Sequence, residues 1–163
     1  MIIGVMSDTH IPAGAKKLPE SIFKYFKGVD LIIHAGDLTS MSVLDDLRQI
    51  TAKVEAVAGN MDPAEVRALL PVKKMINANG KKIAVVHGWG PPGGMKERVW
   101  TEIKQDRPDI VIFGHTHKPE NTMDHGVLFL NPGSPTDKEF ATGNSIAILK
   151  IEKNGMKAEI IKL

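Results

Sequence analysis

The residues able to do chemistry in this chain gather at the ends of apolar runs. Ile110-Val111-Ile112-Phe113 is bounded by Asp109 and closes in Gly114-His115-Thr116-His117, two imidazoles separated by one residue. Residues just past a buried strand sit at a rim where ligands bind, so such a pair suggests a metal, the alternative being imidazoles that only pack or hydrogen-bond. In an extended loop both rings would serve one ion; in a loop kinked at Gly114 they would serve two neighbouring ions. The pattern recurs upstream: Asp8 and His10 follow Ile2 to Met6, Asp37 follows Asp30 to His34, Asn60 follows Val54 to Ala58, and His87 follows Lys82 to Val86. Carboxylates supply charge, neutral imidazoles and an amide oxygen supply coordination, and an aspartate can bridge two ions. Seven donors are too many for one tetrahedral ion and suit two five- or six-coordinate ions. The chain has no cysteine, so nitrogen and oxygen must do all the holding.

Those donors need a scaffold that brings strand ends together. A helix opening at Pro19-Glu20-Ser21 buries Ile22, Phe23 and Phe26 and can end at Gly28. Ser40 offers an N-cap for a second helix through about Ile50, with Val43, Leu44, Leu47 and Ile50 at three- and four-residue spacing. Pro63 to Leu70 and Met95 to Gln105 read as further helices, and Asn79-Gly80 as a turn before the strand beginning at Lys82. After Val127 to Leu130 come two alternating strands, Ser145 to Glu152 and Met156 to Lys162, joined at Asn154-Gly155. Strand and helix alternate in the first half, which predicts a parallel sheet; the last third predicts antiparallel strands. The expected fold is a mixed α/β sandwich, and the seven donors should converge on one rim.

Composition narrows the setting. A chain of 163 residues fits one domain, 1–163, with room for a core and none for a separate cap. It is 42% hydrophobic and 25% charged, with no apolar stretch approaching a membrane span of ~20 residues, and no export signal follows Met1. The expected location is cytoplasmic. Net charge +2 gives no basic stripe, so nucleic acid is not indicated, and neither a monomer nor a homo-oligomer is favoured.

In this order, Asp8-x-His10, Gly36-Asp37, Gly59-Asn60-x-Asp62, His87-Gly88 and Gly114-His115-x-His117 resemble the calcineurin-like metallophosphoesterases. The chain's size and Asn131-Pro132-Gly133-Ser134 resemble their compact bacterial and archaeal phosphodiesterase branch. The resemblance covers nearly the whole chain. It implies a four-layer α/β fold, two mixed β-sheets packed face to face and flanked by helices. It implies that Asp8, His10 and His117 hold one divalent transition-metal ion (Mn, Ni, Fe or Zn), that Asn60, His87 and His115 hold a second, and that Asp37 touches both. Asn60, His115, Asp37 and His10 become the catalytic residues. A small phosphodiester would be cleaved by in-line attack of a hydroxide bridging the ions. Two divalent ions, two aspartates and that hydroxide sum to +1, which a diester anion balances. The alternative is a protein-interaction scaffold like the retromer subunit of the same fold, which shares His-Thr-His-Lys and Asn-Pro-Gly-Ser but departs at several ligand positions. All seven positions are intact here.

One departure stands out. Larger members of the family carry His after the Gly-Asn asparagine, where it assists the leaving group; this chain has Met61, whose thioether donates no proton. Other candidates read more plainly. His34 is expected to be a buried strand residue or a partner supporting the ligands, His125 a solvated turn residue, and Lys73-Lys74 and Lys81-Lys82 solvated strand flanks; Asp62 either orients Asn60 or caps the Pro63 helix, and the cap is favoured. Trp89 either closes over a substrate or packs.

Overall fold

Alternation of apolar residues with both faces covered is what builds the centre of this molecule. In the computed structural model, which describes residues 1–11, 18–137 and 143–163, β1 (Ile2–Met6) sends Ile3 and Val5 to one side and Met6 to the other, and all three are inaccessible to solvent. Such strands lie in the middle of a sheet buried on both faces. β1 pairs in parallel with β2 (Leu31–His34), and β2 with β3 (Val54–Ala56). On its other edge β1 runs antiparallel to β9 (Ser145–Glu152), which pairs with β10 (Gly155–Lys162) through the predicted hairpin. The first sheet therefore has the order β10-β9-β1-β2-β3.

The second sheet has the order β4-β5-β6-β8-β7. β5 (Lys81–Val86), β6 (Ile110–Ile112) and β8 (Val127–Asn131) are parallel, while β4 (Lys73–Ala78) and β7 (Glu120–Asp124) form antiparallel edges. Both edge strands escaped the sequence reading. β7 is polar, and β4 carries Lys at its start, the chemistry expected of an edge that must not recruit another strand. The lysine pairs are not simply solvated: Lys73 reaches Asp106 at 2.9 Å, Lys81 reaches Asp109 at 3.2 Å, and Lys74 pairs with Glu55.

Ile3, Val5, Ile33, Val85, Ile112 and Leu130 are among the residues that fill the space between the sheets. Helices α1 (Glu20–Tyr25) and α2 (Ser42–Arg48) cover the outer face of the first sheet through Ile22, Leu44 and Leu47 against Met6 and Ile32. The short α3 (Ala64–Leu69) follows β3, and α4 (Met95–Ile103) covers the second sheet through Met95, Val99 and Ile103 against Phe113 and Phe129. This is the expected four-layer α/β sandwich of two mixed sheets. α2 begins one residue later than predicted, with Met41 at the N-cap and Ser40 Oγ accepting the Ser42 N–H at 3.3 Å, and α4 tightens into a 3₁₀ turn over 104–106. No helix among the described residues is long and apolar enough to cross a membrane.

The expected single rim is two rims. β1, β2 and β3 deliver Asp8, His10, Asp37 and Asn60 from the first sheet, whereas β5 and β6 deliver His87, His115 and His117 from the second. The centre lies where the sheet ends meet.

Candidate metal centre

At each of these strand ends the chain turns abruptly. Asp8, His10, Asp37, His115 and His117 all have φ between 45° and 68°, the left-handed region that L side chains seldom occupy. Five such residues in one place store backbone strain, and the surrounding hydrogen bonds must hold it. Asn131 and Ser134 supply part of that hold. Asn131 Nδ2 donates to the Gly114 carbonyl at 2.9 Å, and Ser134 Oγ donates to the Asp8 carbonyl at 2.7 Å, so one short motif fastens a loop from each sheet. Glycine is required where loops touch. A Cβ on Gly114 would lie 1.9 Å from Ser7 Oγ, and one on Gly59 would lie 2.1 Å from Asp37 Oδ1.

All seven predicted donors come together. Asp8 Oδ1 lies 3.3 Å from His117 Nε2, 3.8 Å from His87 Nε2 and 4.0 Å from His10 Nε2. Asp37 Oδ2 lies 3.2 Å from His87 Nε2 and 3.7 Å from His10 Nε2. Asn60 Oδ1 faces His87 Nε2 at 3.1 Å and His115 Nδ1 at 2.8 Å, and His10 Nε2 faces His117 Nε2 at 3.2 Å. Each carboxylate is also held by the protein, and the His115 N–H lies 3.2 and 3.1 Å from the two oxygens of Asp8. Asp8 Oδ2 accepts from Ser7 Oγ at 2.6 Å, and Asp37 Oδ1 accepts the Met61 N–H at 2.7 Å.

The imidazoles are oriented from behind. A carbonyl oxygen can only accept, so His87 Nδ1, 2.7 Å from the Ala35 carbonyl, and His115 Nε2, 2.7 Å from the Gly90 carbonyl, each carry a proton. His117 Nδ1 likewise meets Asp137 Oδ2 at 2.5 Å. In the neutral ring the opposite nitrogen is then a bare lone pair aimed at the centre, the disposition of metal-ligating histidines. A pocket of carboxylate oxygens, an amide oxygen and inward lone pairs lacks positive charge, and protons or cations must supply it. The donor set fits divalent ions with nitrogen and oxygen ligands. Two groups, Asp8-His10-His117 and Asp8-Asp37-His87, have ligand atoms close enough to share an ion.

Titration reflects the same deficit. The bond to Asp8, against the opposing effect of burial and with help from Asp137, lifts the His117 pKa to about 9. Burial disfavours charge on His87, but its bond to Asp37 and the charges of Asp8 and Asp37 prevail and raise its pKa. Burial works against ionised Asp37 too, yet His87 keeps its pKa low. His34 is the supporting residue expected: burial lowers its pKa to about 3, its Nδ1 accepts the Gly36 N–H at 3.2 Å, and its Nε2 lies 3.2 Å from Thr9 Oγ1. His125 is exposed and stacks on Trp100 at 6.1 Å.

Of the two roles open to Asp62, the favoured helix cap is the one the structure overturns. The side chain makes no cap bond to α3, whose N-cap is Pro63. Its Oδ2 accepts the N–H groups of Gly59 at 2.7 Å and Asp37 at 3.1 Å, and its Oδ1 accepts that of Thr39 at 2.7 Å. It fastens the loop carrying Asp37 to the loop carrying Asn60. Asp137 was missed altogether, since twenty residues separate it from His117 and no spacing rule joins them.

Known proteins bear on this arrangement. The chain is 38% identical over 162 residues to a probable metallophosphoesterase of Methanothermobacter thermautotrophicus, covering 99% of this chain and 92% of that one. It is 31% identical to vacuolar protein sorting-associated protein 29 of Schizosaccharomyces pombe, over 83% of this chain and 73% of that one. Among solved structures it superposes on the zinc complex of Entamoeba histolytica Vps29 with a TM-score of 0.77 and 25% identity, covering 99% of both chains. The model of the calcineurin-like phosphoesterase superfamily domain matches residues 1–154. Sequence and fold thus agree with the donor chemistry, and the chain belongs to the calcineurin-like phosphoesterase superfamily, whose members work with divalent metal ions.

Proposed function

We propose that this protein is a two-metal phosphodiesterase in which Asp8, His10 and His117 hold one ion, Asn60, His87 and His115 hold the other, and Asp37 is shared. The observation that carries the proposal is the back-side fixing of three imidazoles, His87 by Ala35, His115 by Gly90 and His117 by Asp137, which leaves their remaining nitrogens converging on one centre. Asp37 suits the shared place because its Oδ1 is taken by the Met61 N–H while Oδ2 lies within 3.7 Å of His10 and 3.2 Å of His87. The family resemblance selects it over Asp8, whose Oδ1 also neighbours both sides. Mn²⁺, Fe²⁺, Ni²⁺ or Zn²⁺ bound there would acidify a water and neutralise charge developing on a phosphoryl group.

The chain's own residues do the positioning. Asn60 and His115 reach the open side, where a phosphoryl oxygen of a small diester can meet them. His10, partly exposed at the same mouth, turns its Nε2 inward to within 3.7 Å of Asp37 Oδ2 and completes the donor set of the first ion. Ser7 and the His115 N–H hold Asp8 against rotation. The test is metal analysis after reconstitution at neutral pH, joined to hydrolysis of a chromogenic diester and its monoester. Two ions per chain and faster diester cleavage are expected. One ion or none removes the two-metal site, and loaded protein inert toward both esters turns the reading to the protein-interaction role raised by the likeness to Vps29.

A further inference from the structure

Beside the centre lies a groove of about 410 Å³ that shares Asn60 and His87 with it and continues outward between Arg67, Val72, Trp89 and Glu102. Its size accommodates a single ring system with its linker. Two of its walls are apolar side chains left in water: Trp89 is 42% exposed and Val72 is 76% exposed. A large exposed aromatic next to a polar centre is informative, because leaving it uncovered forgoes burial that packing would otherwise recover.

The wall is also fixed in place. Arg98 of α4 spreads its guanidinium over three carbonyls of the Trp89 loop, bonding Trp89 O at 3.2 Å, Gly93 O at 2.7 Å and Pro91 O. His115 Nε2 donates to Gly90 O at 2.7 Å, so the loop that presents Trp89 is tied to one of the proposed ligands. Backbone held in this way presents Trp89 at a fixed place on the rim, so that only the rotation of its side chain remains to be ordered. At the polar margin Arg67 can only donate and Glu102, when ionised, can only accept, a pairing that suits the edge of a heteroaromatic ring.

We infer that this groove is a subsite for a flat aromatic group esterified to the phosphate, with Trp89 as the stacking face, Val72 as the opposing wall, and Arg67 and Glu102 at the ring edge. The inference rests on the phosphodiester reading above and adds the class of substrate: one ester arm carries a planar ring. An unsubstituted alkyl arm would leave Trp89 uncovered.

Three singly charged methylphosphonate monoesters test this by calorimetric titration of the metal-loaded protein: methyl, phenyl and adenosine-5′. Stacking on a single aromatic side chain predicts that ring-bearing esters bind at least about tenfold tighter than the methyl ester. In Trp89→Ala that ratio should collapse to about twofold or less, and Trp89→Phe should keep most of it. Val72→Asp, at an exposed position that the fold tolerates, should lower the ratio independently. Tight binding of both ring esters assigns any flat ring. Tight binding of the adenosine ester alone, lost in Arg67→Met, assigns a base read at its edge, and tight binding of the phenyl ester alone assigns a plain aryl arm. Equal affinity for all three in the parent, or a ratio indifferent to Trp89→Ala, overturns the groove while leaving the phosphodiester reading standing. If the loaded protein binds none of the three, both fail together.

Discussion

Replacing Asp62 separates two accounts of one residue by their magnitudes. Its carboxylate is 2% exposed and accepts three backbone N–H groups, from Gly59, Asp37 and Thr39, at 2.7, 3.1 and 2.7 Å. Hydrogen bonds to a charged acceptor contribute about 1.5–3 kcal/mol each, and a buried donor stripped of its partner costs about 1–3 kcal/mol. Asp62→Ala strands two buried donors, at about 1–3 kcal/mol each, and one partly buried donor that water can reach, so the expected loss is about 2–6 kcal/mol, a large share of the roughly 5–15 kcal/mol that holds a domain. Asp62→Asn keeps one acceptor oxygen and points an NH₂ at an N–H; it should lose about 1–3 kcal/mol. An ordinary helix cap would lose only about 1 kcal/mol on truncation to Ala. Urea unfolding of the metal-free proteins reads the difference without ion binding adding to stability. Metal titration of the folded variants should also show weakened binding, because the Asp37 and Asn60 loops lose their common anchor. A loss of about 1 kcal/mol or less in Asp62→Ala, with Asp62→Asn no different from the parent, would refute the reasoning.

Asp37→Ala should abolish diester hydrolysis and reduce bound metal below two ions per chain, read by elemental analysis of folded protein; full occupancy of both sites would show that Asp37 is not shared. The raised pKa of His117, about 9 against an ordinary 6.5, stabilises the metal-free fold fully below pH 6.5, and that contribution disappears as pH climbs through 9. Metal must displace the same proton, so affinity should rise about tenfold per pH unit toward 9, and Asp137→Asn should shift that profile to lower pH; a profile flat between pH 7 and 9 would contradict it. Met61 is 59% exposed at the rim and gives no proton, so cleavage should depend steeply on leaving-group basicity across a graded diester series, and Met61→His should flatten the slope. A shallow slope in the parent would mean that another group, such as His10, already protonates the leaving oxygen.

The donors were legible because strand ends write themselves into sequence. An apolar run that stops at Gly-Asp, Gly-Asn, His-Gly or Gly-His-x-His announces both a buried strand and the polar residue presented at its end, and each signal fits within a few neighbouring residues. The inner strands and most helix limits followed from the same local periodicity. The edge strands β4 and β7 did not, since a strand that faces solvent carries polar side chains and loses its alternation.

Sequence by itself determined which residue types stand at which strand ends, the absence of thiolate ligands, the apolar runs that make the buried strands, and the family likeness. Tertiary structure alone decided that those ends belong to two sheets whose rims meet, that Asp62 fastens loops instead of capping a helix, that Asp137 stands behind His117, and that Arg98 fixes the loop presenting Trp89. The physical reason is common to all four. Each depends on a polar side chain or strand meeting a partner that its local pattern does not specify, whether across the fold or, for Arg98, five to nine residues back in a loop, and such a meeting leaves no period in the chain that makes it.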